Sequence, residues 1–139
     1  MGLLVLSDAS RTLAGILLVS FVAIEIGGVY LVRVTSGRVE LTEFQRSFAR
    51  AGHAHAGVLV MLALVCQLYV DAIDQSGVIG WLSRSGVAIA AIAMPAGFFF
   101  SSMGAARVKP NRLVALVFAG AVLLGAGVLS LGVGLLRSD

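Results

Sequence analysis

The chain has 139 residues, of which 59% are hydrophobic and only 12% charged. A soluble domain is about half apolar and about a quarter charged. The composition therefore excludes a soluble globular domain, an acidic disordered tail and a disulfide scaffold, and a mean hydropathy of +1.02 points to one small integral membrane domain. The formal net charge of +3 comes from bases in short loops between apolar runs. Membrane topology accounts for that pattern better than a nucleic-acid partner, so none is expected.

A hydrocarbon core of ~30 Å takes about 20 apolar residues at ~1.5 Å of rise each. The first such run is Thr12 to Val34. It contains Glu25 and ends in Tyr30-Leu31-Val32-Arg33 rather than a small-residue cleavage site, so a retained helix is expected. Glu25 has apolar residues on both sides. An ionisable side chain at that depth is costly and points either to function or to a bond with a neighbouring helix. In the loop that follows, Phe44 and Phe48 lie four apart among Glu40, Glu43, Arg46 and Arg50. That spacing predicts a short amphipathic turn on the membrane surface before the second span.

The second run is Ala51 to Val70, entered through Arg50-Ala51-Gly52-His53-Ala54-His55-Ala56-Gly57. Residues 53 and 55 lie about 200° apart on a helix and cannot chelate one ion together. Imidazole ligates haem iron, zinc and copper. Small neighbours leave room for a flat ligand, and arginines pair with propionates or phosphates. The blander reading is a pair of interfacial rings bonded to loop carbonyls. Cys66 stands alone and is expected to be a buried hydrophobe. The chain has no Cys-x-x-Cys-His, which excludes covalent c-type haem.

The third run is Gly86 to Met103, with a start near Ile79 as the alternative, because Ser83-Arg84-Ser85 interrupts it. Pro95 is expected to kink it. The fourth is Leu113 to Leu136, with Gly120, Gly127 and Gly134 at intervals of seven and Gly125 and Gly132 as a second pair. Such glycines serve packing within the chain or an oligomer interface. Met61, Met94 and Met103 read as packing residues. Gln67, Ser101, Ser102 and Ser130 read as bonds between helices. No phosphate-binding loop or hydrolase motif is present.

The expected fold is an all-α integral membrane protein, a four-helix transmembrane bundle with short loops. Loops 35–50 and 104–112, with the helix ends beside them, hold Arg33, Arg38, Arg46, Arg50, Arg107, Lys109 and Arg112, against Arg11, Arg84 and Arg137 on the other side. The excess places those loops in the cytoplasm of a multi-pass cell-membrane protein, with both termini outside. Trp81 and Tyr69 then sit near the outer interface.

The stretch Ala49-Arg50-Ala51-Gly52-His53-Ala54-His55-Ala56-Gly57 resembles the Ala-Arg-Ala-His-Ser-Gly that opens the second span of styrene oxide isomerases, small four-helix membrane enzymes. Gly97-Phe98-Phe99 and Pro110-Asn111-Arg112 resemble that family's Gly-Phe-Tyr and Pro-Asn-Arg. The matches cover about a fifth of the chain. The resemblance implies a homotrimer holding haem b between subunits, with ferric haem acting as a Lewis acid that opens a small hydrophobic epoxide to an aldehyde. It assigns the axial, metal-binding role to His55, with His53 as the fallback. Arg46, Arg50 and Arg112 are the cations expected near the propionates. The chain departs from the family at Phe99, where a tyrosine is expected, and at Met61, where an asparagine is expected. The gap from Gly97 to Pro110 is also longer. A haem site tolerates these changes better than epoxide isomerisation does. Two alternatives stay open: a non-enzymatic subunit of a larger membrane complex, and a small transporter that uses Glu25 and the histidines.

Overall fold

The computed structural model describes residues 5–138, and every element among them is helical. The helices are α1 (Asp8–Thr35), α2 (Glu43–Ala72), α3 (Gly77–Ser102) and α4 (Ala115–Arg137), with a single 3-10 turn at Arg112–Val114 leading into α4. All four are long and apolar enough to cross a membrane.

Local chemistry sets the boundaries. Ser7 caps α1 by accepting from the Ser10 amide. Thr42 and Gln45 form a reciprocal capping box that starts α2. The amphipathic turn expected around Phe44 and Phe48 is therefore no separate surface element. It is the first two turns of α2, and Phe48 packs edge-on against Phe98 of α3 at 5.4 Å. Helix α3 begins at Gly77, close to the alternative start near Ile79 and well before Gly86; Gly77 takes the positive φ of 68° that ends the tight turn from α2. Ser83-Arg84-Ser85 lies inside this helix, because Arg84 finds a partner there. Pro95 is buried within α3, which continues to Ser102. The first and fourth spans match their expected limits to within a few residues.

The chain runs up and down with α3 at the centre. Helix α3 packs along both α2 and α4, whereas α1 packs along α2 and only grazes α3. Among the described residues α1 and α4 do not approach each other. The core lies between α2 and α3, around Val60, Ala63, Cys66, Val70, Val87 and Ala91. Small residues bring α3 and α4 together. A Cβ at Gly120 would collide with Met94 Cγ, and one at Gly127 would meet the Val87 amide at 3.2 Å. The Gly120–Gly127–Gly134 stripe is therefore used within the chain, while Gly125 and Gly132 face open space.

The two ends are tied differently. At one end the basic loops meet: Gln45 Nε2 donates to the carbonyls of Ser102 and Gly104. At the other end Arg84 Nη2 donates to Asp71 Oδ1 at 2.6 Å, across the turn between α2 and α3. Ser7 donates its amide (2.8 Å) and its hydroxyl (3.0 Å) to the same carboxylate, and Arg84 Nε donates to Ser10 Oγ. The Asp71 side chain is only 5% exposed and that of Arg84 19%. Gln67 extends the cluster by donating to the Arg84 carbonyl. This clamp holds the start of α1 to the α2–α3 pair.

Removing one member of a partly buried, hydrogen-bonded ion pair leaves the polar atoms of the other unsatisfied, at about 1–3 kcal/mol. Asp71→Ala is expected to lower stability by about that much, read by thermal unfolding in detergent. The double variant Asp71→Leu, Arg84→Leu, which leaves no lone charge, is expected to lose markedly less.

Candidate functional site

The two histidines stand on α2 a little over two turns from its capping box. Arg46, Arg50 and His53 recur at intervals of four and three, so they share one side of the helix. His55 points to the other side. The structure keeps the two rings apart, as the 200° arithmetic requires.

His53 faces α1. A Cβ at Gly27 would lie 3.4 Å from His53 Nδ1, and one at Gly28 would lie 3.4 Å from its Cε1. The two glycines thus form a cradle for the ring, and His53 joins α1 to α2.

His55 faces the edge of α3. Its Nδ1 lies 2.7 Å from the Ala51 carbonyl oxygen. A carbonyl only accepts, so Nδ1 is the donor in this contact and Nε2 is the ring nitrogen left free. The ring lies 5.0 Å from that of Phe98. Gly52 makes this contact feasible, since a Cβ there would come within 3.1 Å of both Phe98 and Phe99. Beside His55 is an apolar recess of about 170 Å³ lined by Ala54, His55, Val58 and Leu59. Val58 is exposed, so the recess opens on the outer side of the bundle.

The other expected site residues lie elsewhere. Arg46 pairs with Glu43 at 3.0 Å, and Arg50 is exposed. Arg112 is exposed at the start of the 3-10 turn, where Asn111 closes the loop by donating to the Phe100 carbonyl at 2.9 Å and accepting from the Leu113 amide. Phe99 lines a different cavity, of about 240 Å³, together with Tyr30, Gln45 and Ser102. Met61 is exposed on the surface of the bundle. Glu25 lies on the exposed side of α1, and no ion pair among the described residues reaches it. Of the expected residues, His55 alone lines the recess.

Sequence reasoning missed Phe98 as the neighbour of His55 and Phe48 as the ring packed against Phe98, and it missed the Asp71–Arg84 clamp. A signal for the clamp was present. In an antiparallel hairpin, residues equally far from the turn meet, and Asp71 and Arg84 stand nearly symmetrically about Ser76-Gly77. The clamp borders an open polar cleft of about 860 Å³ that also includes Asp8, Asp74 and Trp81. Among the described residues no three His, Cys, Asp or Glu side chains converge as a metal site. Comparison with protein-family models, curated proteins and solved structures returned no match.

Proposed function

We propose that this is a multi-pass membrane protein that binds haem b through His55, at a site completed by a further copy of the same chain. The observation that carries this reading is the state of the His55 ring. Its Nδ1 is bonded to a backbone carbonyl, and it borders an apolar recess open to the bundle surface. A metal-binding histidine normally donates its second ring nitrogen in this way, which fixes both tautomer and orientation. The donor set favours haem over zinc. Zinc needs three or four protein ligands, whereas haem iron is held by one imidazole.

The recess also implies a partner. At about 170 Å³ it falls below the ~300–1,000 Å³ of sites that enclose a small ligand. One chain therefore covers only part of the group, and a homo-oligomer covers the rest. A trimer follows from the resemblance to styrene oxide isomerases. Arg46, Arg50 and Arg112 belong to the basic end of the bundle; Arg46 and Arg50 stand on the opposite side of α2 from His55, so as cations for propionates they would serve the group held by a neighbouring copy. The positive-inside rule puts that end in the cytoplasm and the termini outside the cell membrane.

When bound, ferric haem supplies a Lewis acid suited to opening a small hydrophobic epoxide. The chain itself holds the imidazole through Ala51 and excludes water with Phe98, Val58 and Leu59. Neither Phe99 nor Met61 offers a polar group to orient a substrate, so epoxide isomerisation is the less supported half of the reading. The transporter alternative lacks a common path within the chain, since Glu25, His53 and His55 lie on three different sides of the α1–α2 pair.

An absorption spectrum in mild detergent, oxidised and dithionite-reduced, tests the proposal. An intense Soret band is expected that is lost in His55→Ala and kept in His53→Ala. Absence of the band after haem-replete expression would overturn the reading. Gly52→Leu is expected to push Phe98 away from His55, cost about 1–3 kcal/mol by overpacking and reduce the haem-to-protein ratio. Gly57→Ala, with no atom within 4 Å of its added Cβ, is expected to change neither.

A further inference from the structure

The basic end of the bundle holds a groove that the haem reading does not use. Its deeper part is the cavity of about 240 Å³ in which Tyr30, Ala49, Phe99 and Met103 supply an apolar wall. Leu41 and Gln45 join it to a more polar recess of about 390 Å³ that reaches Glu40 and Ala106. Joined, the two have the size of a small-ligand site, ~300–1,000 Å³. Tyr30 lies five residues before the end of α1, about 7.5 Å along the axis. That depth is the boundary between headgroups and acyl chains, where tyrosine is enriched. Tyr30 and Met103 are 38% and 61% exposed, so the apolar wall continues onto the outer surface of the bundle.

Two guanidiniums belong to its rim. Arg107 Nε donates to the Met103 carbonyl at 2.6 Å and packs over Gly104, whose φ of 122° turns the chain back. Thr42 Oγ1 donates to the Arg107 carbonyl and Gln45 Nε2 to that of Gly104, so this loop is held in place. Arg33 stands one turn beyond Tyr30, about 60° round α1, with a long side chain suited to reach the headgroup layer. Among the described residues neither Arg33 nor Arg107 forms an ion pair. Glu40 is the one acid that lines the groove. Two cations against one carboxylate leave a net charge of +1, at an end that carries seven Lys and Arg against two Glu.

We propose that this groove binds the headgroup of an anionic phospholipid, with its phosphate between Arg33 and Arg107 and the start of an acyl chain along Tyr30, Phe99 and Met103. Guanidinium groups hold phosphate oxygens through charge-assisted hydrogen bonds. Basic pockets between membrane helices are where acidic lipid headgroups bind. Arg107 is already positioned by its own loop, so little ordering entropy opposes binding there. The apolar wall selects a lipid over a free phosphate ion. The net charge of the rim selects an anionic headgroup over a zwitterionic one. The inference uses no part of the haem reading.

Native mass spectrometry of the full-length protein in mild detergent tests it, with phosphatidylglycerol, phosphatidylcholine or glycerol phosphate added in turn. The expected result is one retained phosphatidylglycerol per chain, about threefold or more above phosphatidylcholine, and no glycerol phosphate adduct. Arg33→Gln combined with Arg107→Gln is expected to lower phosphatidylglycerol occupancy about threefold or more. Arg50→Gln combined with Arg112→Gln removes the same charge on other sides of the bundle and is expected to keep it. Glu40→Gln is expected to raise occupancy, a change that no folding defect produces. Equal occupancy by the two lipids, equal loss in both double variants, or a fall in Glu40→Gln would overturn the inference. So would glycerol phosphate held as tightly as the lipid.

Discussion

A polar or ionisable group that enters a bilayer must find its partner inside protein, because lipid offers none. That constraint organises this chain more than helix propensity does. Asp71 and Arg84 meet it together at the rim of the bundle, with Ser7 and Ser10 taking up the remaining hydrogen bonds. Gln67, fully buried, meets it with its Nε2, which donates to the Ala63 and Arg84 carbonyls, while its Oε1 is left without a partner. The capping box at Thr42 and the turn at Asn111 do the same for exposed helix ends.

The same constraint explains why α1 stays attached. It packs on one neighbour only, so apolar contact alone would hold it loosely. The clamp fixes its N-terminal end through Ser7 and Ser10. Further along, His53 seats on Gly27 and Gly28, where two missing side chains let a ring lie between the helices. Helix α3 needs no such devices. Its alanines and glycines bring backbones close on two sides, and dispersion contacts accumulate along its length.

Much of this was legible in the chain. Helices α1 and α4 were legible because their apolar runs are long and, Glu25 apart, free of charged residues until their last turns. The start of α2 was misplaced, and that of α3 left between Ile79 and Gly86, because polar residues there read as loop, yet Gln45 and Arg84 lie in helices and bond to other elements. Local hydropathy carries no record of a partner 13 or 57 residues away. The divergence of His53 and His55 followed from 100° per residue alone. What each ring faces did not, since that depends on how α1 and α3 pack around α2. The glycine heptad of α4 was visible, but only its fit against Met94 and Val87 tells which way it turns.

Glu25 and His55 stand apart from these tied groups: no ion pair among the described residues reaches the Glu25 carboxyl, and the His55 ring borders a shallow recess. They stand on different helices, at similar numbers of residues from the basic end. Under the function proposed above, a further copy would complete the His55 site. A tightly held ligand would then add RT ln(1 + [L]/Kd) to the assembly, about 4 kcal/mol at a thousandfold excess over Kd. A polar contact between membrane helices contributes about 0.6–2 kcal/mol, so the ligand rather than helix contact would set the lifetime of that assembly.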